Sequence, residues 1–155
     1  MRLTARKVDG SLRDLSRVKG LLERAFPKNE QFPMFLLRLR AWSSYVHFLA
    51  YYDGDDFCGF TYTVENEDMV FVLYLAVNDE IRSKGYGTAI LTDLKARASG
   101  RGVALNIEPL DPHAANSEQR ERRLEFYRRH GFVSTDYNLI DGGDRYLLLF
   151  SNEDF

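Results

Sequence analysis

The segment MVFVLYLAVNDEIRSKGYGTAILTDLKARA, residues 69–98, decides the fold of this chain. Val70 to Val77 is almost entirely apolar and rich in Val, Leu, Phe and Tyr, which predicts a strand buried on both faces. Asn78 to Lys84 is polar and predicts a loop. From Tyr86 to Ala98 apolar residues recur at helical spacing, which predicts an amphipathic helix. The segment therefore predicts a buried strand that leads through a charged loop into a helix.

The join between the loop and the helix has the features of an anion-binding site. It consists of Arg82, Ser83, Lys84, Gly85, Tyr86, Gly87 and Thr88. A helix start leaves about four N–H groups without an internal partner and carries a partial positive charge. Gly85 and Gly87 lack Cβ atoms, so an anion can approach the backbone closely. Arg82 and Lys84 add positive charge, and Thr88 adds a hydroxyl group. These features predict a phosphate or pyrophosphate site; the alternative is a glycine-containing turn with two solvated cations.

Two motifs indicate which class of phosphate-binding protein the chain resembles. The chain lacks the G-x-x-x-x-G-K-[ST] loop of kinases and ATPases, and no third glycine completes a dinucleotide fingerprint. Arg82, Gly85 and Gly87 instead resemble the R/Q-x-x-G-x-G/A pyrophosphate motif of the GNAT N-acetyltransferases. Further along, FYRRHGF at residues 126–132 resembles the Y-x-x-x-G-F signature of that family, with Tyr127 as its tyrosine. The chain is similar to the family in the order and approximate spacing of both motifs.

Composition excludes several other classes. The chain has 155 residues, 45% of them hydrophobic, so we expect one domain over residues 1–155. Lys plus Arg total 21 against 23 for Asp plus Glu, and this balance argues against a nucleic-acid partner. Cys58 is the single cysteine, which leaves no disulfide framework or thiolate metal site, and we interpret it as a buried filler. No secretory signal or membrane span is apparent, so we expect no membrane partner and a cytoplasmic location.

The N-terminal third of the chain predicts one strand and two helices. Arg2 to Val8 alternates loosely and is expected to form a strand. A helix should run from Ser11, which can cap it, to Phe26, and Pro27 ends it. A second helix is expected over Met34 to Trp42. Its inward-facing residues are expected to be Phe35, Leu36, Leu39 and, as a further candidate, Trp42.

The remaining elements predict the sheet. Further strands are expected over Tyr45–Tyr52, Phe57–Glu65, Met69–Val77, Val103–Glu108, Phe132–Leu139 and Arg145–Phe150. The first three follow one another through short polar turns and should form an antiparallel meander. Val70–Val77 and Val103–Glu108 flank a helix and should be parallel neighbours. A last helix, capped by Asn116, should end before Gly131. We therefore expect an α+β fold with a mixed, mostly antiparallel sheet of about seven strands and flanking helices, similar to the GNAT fold.

The resemblance implies acetyl-CoA as the acyl donor. Its pyrophosphate would bind residues 82–88, and its pantetheine arm would lie where the two parallel strands splay apart. There the backbone groups of Leu75 and Val77 would be unpaired and could bond to the arm as to an added strand. Ala76 is small, which would suit a local bulge. A backbone N–H near Leu75 would polarise the thioester oxygen.

The resemblance also implies the catalytic residues. The family motif makes Tyr127 the general acid for the departing thiolate; the alternative is that its ring is simply packed in the core. Glu108, at the carboxyl end of a strand beside the splay, is the first candidate for the general base, and Glu30 is the second. The family often carries an asparagine seven residues before the motif tyrosine, where this chain has Arg120. Arg120 could reach a phosphate instead.

The function implied is an acetyl-CoA-dependent N-acetyltransferase that moves an acetyl group to a primary amine of a small molecule or peptide by direct transfer. One alternative is a catalytically silent coenzyme A-binding sensor or scaffold with the same fold. Another is a phosphate-binding protein outside the family. No motif identifies the acceptor amine. The last hairpin leaves a strand edge, so we expect either a monomer or a homodimer.

Overall fold

The computed structural model describes residues 2–81, 85–141 and 144–151, with the backbone alone over 136–141 and at 144. Arg82, Ser83 and Lys84, which belong to the predicted anion-binding site, lie outside the described residues. The strands are β1 Thr4–Lys7, β2 Val46–Asp53, β3 Asp56–Glu65, β4 Met69–Val77, β5 Gly102–Ile107, β6 Val133–Asp141 and β7 Asp144–Ser151. The helices are α1 Leu15–Ala25, α2 Met34–Arg40, α3 Tyr86–Ala98 and α4 Ser117–Arg129, and Lys28–Glu30 forms a single 3-10 turn.

The strands form one sheet of seven in the order β1-β2-β3-β4-β5-β7-β6. β4 and β5 are parallel, as the crossover through α3 requires, and every other neighbouring pair is antiparallel. The predicted α+β class and the mixed, mostly antiparallel sheet are therefore confirmed. Among the described residues, no helix is long and apolar enough to cross a bilayer.

The two faces of the sheet carry different helices. Phe48, Ala50 and Tyr52 of β2 pack in one cluster with residues of α1 and α2. The alternate residues Leu49 and Tyr51 point to the opposite face and pack in a cluster with residues of α3. This alternation is the period of a strand covered on both sides. Cys58 is fully buried on the α3 side, which confirms its interpretation as a filler.

Both N-terminal helices are shorter than predicted. α1 begins at Leu15 because the Ser11 side chain does not cap it: the backbone N–H and the hydroxyl of Ser11 both donate to Asp9. α2 ends at Arg40, and its buried residue is Leu37. The inward face predicted for α2 was wrong, since Phe35 is 70%, Leu39 62% and Trp42 88% exposed. The apolar pattern of this helix therefore exceeds what the core can cover.

β4 and β5 are paired over only part of their length. Met69–Val72 pairs with Gly102–Leu105, and no residue of β4 from Leu73 onward has a partner on β5. Leu73 is also the extra residue of a bulge, because β3 pairs across it with Tyr74 and then with Val72. A bulge bends a strand and increases its twist. The bulge predicted at Ala76 was wrong: Ala76 is in regular register with β3, and the bend lies where β4 leaves β5.

Candidate active site

A cavity of about 290 Å³ occupies the gap between the unpaired ends of β4 and β5. It is lined by Leu75, Ala76 and Val77 from β4, by Leu105 and Ile107 from β5, and by Tyr127 from α4, among others. The residues predicted for the pantetheine arm and the predicted general acid therefore line one cavity. An extended chain could add there to the side of β4 that is not paired with β5.

A second cavity of about 220 Å³ adjoins the first. Six lining residues belong to both cavities, namely Phe26, Val72, Leu73, Asn106, Ile107 and Arg123. The second cavity also contains Phe32, Phe71, Tyr74, Tyr146, Glu30 and Glu108. Aromatic rings and carboxylates together are the groups that attract an amine or ammonium. The two candidate bases thus line a cavity next to the one that contains Tyr127.

The N-terminus of α3 supplies free backbone donors beside the first cavity. Gly85 precedes the helix in the left-handed conformation, with φ of 78°, which favours glycine. The Ala89 N–H donates to the Gly85 carbonyl, so the amides before Ala89 have no acceptor within the helix. A Cβ atom built on Gly87 would lie 3.3 Å from the Phe126 ring and 3.4 Å from Val77. A side chain there would intrude between α3, α4 and β4.

The hydroxyl groups of Tyr86 and Thr88 bond to protein side chains and not to an anion. Tyr86 is buried, and its hydroxyl donates to Asp53 at 2.9 Å. The His130 Nδ1 lies 2.6 Å from the Phe126 carbonyl oxygen, which can only accept, so this nitrogen carries a proton. In the neutral ring the Nε2 atom, 3.1 Å from the Thr88 hydroxyl oxygen, then accepts from that hydroxyl. Both residues can therefore offer their backbone amides, while their hydroxyl groups are already bonded.

Tyr127 is buried at the wall of the first cavity. Its ring packs edge-on against Phe132 at 5.4 Å. Gly131, at φ of 88°, reverses the chain so that the Phe132 N–H donates to the Tyr127 carbonyl, which explains the spacing of the Y-x-x-x-G-F motif. Burial raises the pKa of Tyr127 to about 12, with the Arg123 guanidinium opposing the rise. The phenol is therefore a proton donor throughout the neutral range.

Glu108 belongs to an ion-pair network in the wall of the second cavity. Arg120 contacts its carboxylate at 2.7 Å and Arg123 at 3.7 Å, and the Asn116 amide donates to it at 3.2 Å. Asn116 is therefore engaged with Glu108 rather than with the helix N–H groups it was predicted to cap. Arg120, which could reach a phosphate, bonds in this structure to Glu108 and to the Pro109 carbonyl.

Sequence reasoning missed two residues at the boundary of the cavities. Arg123 lines both cavities and lies four residues before Tyr127, so the helical period placed it on the same face. Asn106 also lines both cavities, at the first position of β5 beyond its pairing with β4. Its only sequence signal was a single polar residue inside the otherwise apolar strand VALNI.

The fold agrees with that of acetyltransferase structures. A protein assigned to the GNAT acetyltransferase family from Bacteroides thetaiotaomicron shares 25% identity at a TM-score of 0.78, over 99% of this chain and 88% of that one. An aminoglycoside 6'-N-acetyltransferase, solved with coenzyme A, shares 16% identity at 0.73 over 96% of each chain. The ribosomal-protein-S18-alanine N-acetyltransferase of Escherichia coli shares 17% identity at 0.68, over 97% of this chain and 93% of that one.

Comparison at the level of sequence gives the family. YjbC of Bacillus subtilis, named as an acetyltransferase, is 32% identical over 68 residues, which are 44% of this chain and 33% of that relative's length. The model of the acetyltransferase (GNAT) domain matches residues 43–134, more than half of the chain, and includes both motifs from which the resemblance was inferred. This chain therefore belongs to the GNAT acetyltransferase family.

Proposed function

We propose that this protein transfers the acetyl group of acetyl-CoA to a primary amine of a small molecule or peptide. One observation carries the proposal: the cavity in the gap between β4 and β5 is lined by Tyr127 and adjoins a cavity that is lined by the carboxylates Glu30 and Glu108. Direct transfer needs such an arrangement, because the amine and the thioester must meet at one point from opposite sides. Solved relatives named for a small-molecule and a protein acceptor support an amine as the acceptor class.

Acetyl-CoA would supply an activated acyl group with a thiolate as its leaving group. The free amides at the start of α3 would bind the pyrophosphate, together with the predicted contacts of Arg82, Ser83 and Lys84. Leu75 and Val77 would bond to the pantetheine amides through their backbone, and a β4 N–H would hold the thioester oxygen. These assignments rest on the unpaired edge of β4, which offers a place for such an arm.

Tyr127 would donate a hydrogen bond to the sulfur as the carbon–sulfur bond breaks. With a pKa of about 12, its phenol holds its proton more tightly than an ordinary thiol with a pKa of about 8.5. Full proton transfer from Tyr127 is therefore uphill, and the hydrogen bond stabilises the developing thiolate without completing the transfer. The guanidinium of Arg123 adds positive charge beside the same hydroxyl. The proton that the thiolate finally takes comes from the attacking nitrogen.

Before it attacks, a protonated amine must lose one proton on the other side of the gap; the second proton, which the nitrogen loses after the attack, is the one that the thiolate takes. Glu108 and Glu30 both remain candidates, directly or through water. Arg120 and Arg123 engage both oxygens of the Glu108 carboxylate in ion pairs. Both carboxylates stay candidates for the group that receives the proton from the amine, and the ion pairs of Glu108 also anchor the cavity wall.

Release of free thiol from acetyl-CoA over a panel of amines tests the proposal. We expect turnover with at least one primary amine and acetylated product of the matching mass. Calorimetry with coenzyme A separates the alternatives. Binding of coenzyme A without turnover would indicate the catalytically silent sensor or scaffold. Absence of binding would contradict both the acetyltransferase and the sensor. Cytoplasmic location and a monomer or homodimer stay part of the proposal, and fractionation and light scattering would check them.

A further inference from the structure

Asn106 lies where the two cavities meet and where the pairing of β5 with β4 ends. Its neighbour Leu105 is the last residue of β5 paired to β4, and Asn106 itself pairs only with Leu148 of β7. The side chain lines both the cavity that contains Tyr127 and the cavity that contains Glu30 and Glu108. It is therefore within reach of the point at which donor and acceptor would meet.

The Asn106 carboxamide has an unpaired oxygen in the described part of the structure. Its Oδ1 atom is buried, and among the described residues no group donates a hydrogen bond to it. A buried carbonyl oxygen without a donor costs free energy that an apolar side chain of the same shape would avoid. Ala104, the preceding residue on the same face of β5, is 3% exposed, so an apolar residue would suit this face of the strand better. Function, rather than stability, accounts for an asparagine here.

We propose that Asn106 positions the acceptor amine by accepting a hydrogen bond from one of its N–H groups. This inference rests on the proposed function. A half-turn about χ2 exchanges the oxygen and nitrogen of the carboxamide, which have nearly the same shape, so the oxygen can face the cavities. An amine whose N–H is directed at Asn106 has its lone pair directed away from it, toward the thioester carbon.

This hydrogen bond strengthens as the reaction proceeds. The amine nitrogen forms a bond to the carbonyl carbon and gains positive charge, and the carbon–sulfur electrons leave with the thiolate. An N–H on a positively charged nitrogen is a stronger donor than one on a neutral amine. Asn106 therefore binds the transition state more tightly than the ground state, which raises kcat more than it lowers KM. The carboxamide takes no proton, so the base remains a separate group.

Two variants of nearly equal shape test the inference. Asn106→Leu removes the acceptor, and we expect kcat to fall about 10- to 100-fold with a smaller change in the KM of the amine. The affinity for coenzyme A should be unchanged, and the Tm should be equal to or higher than that of the wild type. Asn106→Asp keeps an oxygen acceptor at the same place, so its kcat should lie between those of the wild type and Asn106→Leu.

The outcomes separate this inference from the proposed function. A wild-type protein without amine-dependent turnover contradicts the proposed function, and the role of Asn106 falls with it. Normal turnover in Asn106→Leu contradicts the role of Asn106 alone. A marked fall in the Tm of Asn106→Leu, in parallel with its activity, assigns Asn106 to structure and also overturns the inference. Equal losses in Asn106→Leu and Asn106→Asp show that hydrogen-bond acceptance is not what matters.

Discussion

The two ends of the β4–β5 pair differ in strand pairing, in burial and in the presence of cavities. At the paired end, Val70 and Val103 lie opposite each other, are 4% and 2% exposed, and belong to one apolar cluster. At the unpaired end, the same strands line two cavities, and among the described residues no group donates to the Asn106 Oδ1 atom. One end of the pair stabilises the fold, and the other gives up that stabilisation to make room for ligands.

The difference arises at a single place. The Leu73 bulge turns β4 away from β5 directly after the Val72–Leu105 pair. β5 remains paired on its other side, to β7, through Ile107. The gap therefore opens on one side of β5 only, and the sheet as a whole stays continuous. Substitutions at the paired end should change stability, whereas substitutions at the unpaired end should change activity.

The largest effect should come from Tyr127→Phe at the unpaired end. Loss of the hydrogen bond to the departing sulfur should lower kcat about 100-fold, or about 2.7 kcal/mol, with coenzyme A affinity retained. Steady-state kinetics and calorimetry measure the two quantities. Tyr45→Phe, which removes the hydroxyl of an exposed tyrosine, is the control and should leave kcat unchanged. Full activity in Tyr127→Phe would assign this ring to packing alone.

At the paired end, Val103→Ala should lower stability and leave the chemistry intact. Removing about two buried methylene equivalents should reduce the free energy of unfolding by about 2 kcal/mol. Urea denaturation measures this loss, and kcat below the unfolding transition should be that of the wild type. A loss of kcat without a loss of stability would contradict the division between the two ends.

Beside the gap, Gly87→Asp should weaken coenzyme A binding about tenfold. The new carboxylate would repel the phosphates and place bulk next to Phe126, although a negative charge at a helix start favours the helix itself. Thr92→Asp adds the same charge to an exposed position further along α3 and is the matched control. Equal affinities of the two variants for coenzyme A, measured by calorimetry, would argue against a pyrophosphate site at this end of α3.

The smallest expected effect is that of Tyr127 ionisation on the pH dependence of stability and of kcat/KM. Because its pKa is raised to about 12, the phenol stays protonated in the folded protein beyond pH 10, where a free tyrosine ionises. Its contribution to stability is thus complete below about pH 10 and is lost as the pH rises toward 12. In the wild type, kcat/KM should rise as the amine deprotonates and show no fall due to Tyr127 below pH 10. A fall in kcat/KM near pH 8 that disappears in Tyr127→Phe would contradict the raised pKa of Tyr127.

Local patterns in the sequence were enough to predict the mixed sheet, the parallel pairing of β4 with β5 and the family. A strand, a glycine-containing turn and a helix in succession require a right-handed crossover, and this places β4 beside β5 whatever the rest of the chain does. The Y-x-x-x-G-F spacing likewise follows from one helix end, where Gly131 turns the chain and Phe132 packs on Tyr127. Such features depend on neighbours in the chain, so the sequence alone determines them.

Tertiary packing decided which side chains meet. Arg120 lies on α4 and Asn116 directly precedes it, and both contact Glu108, which follows the end of β5. The side chain of Asn116 therefore does not cap the helix. The burial of α2 was mispredicted because the apolar spacing of a helix does not say how much of its surface the sheet can cover. The place where β4 leaves β5, and with it the exposure of Asn106 to both cavities, depends on a register shift against β3 that no local pattern encodes.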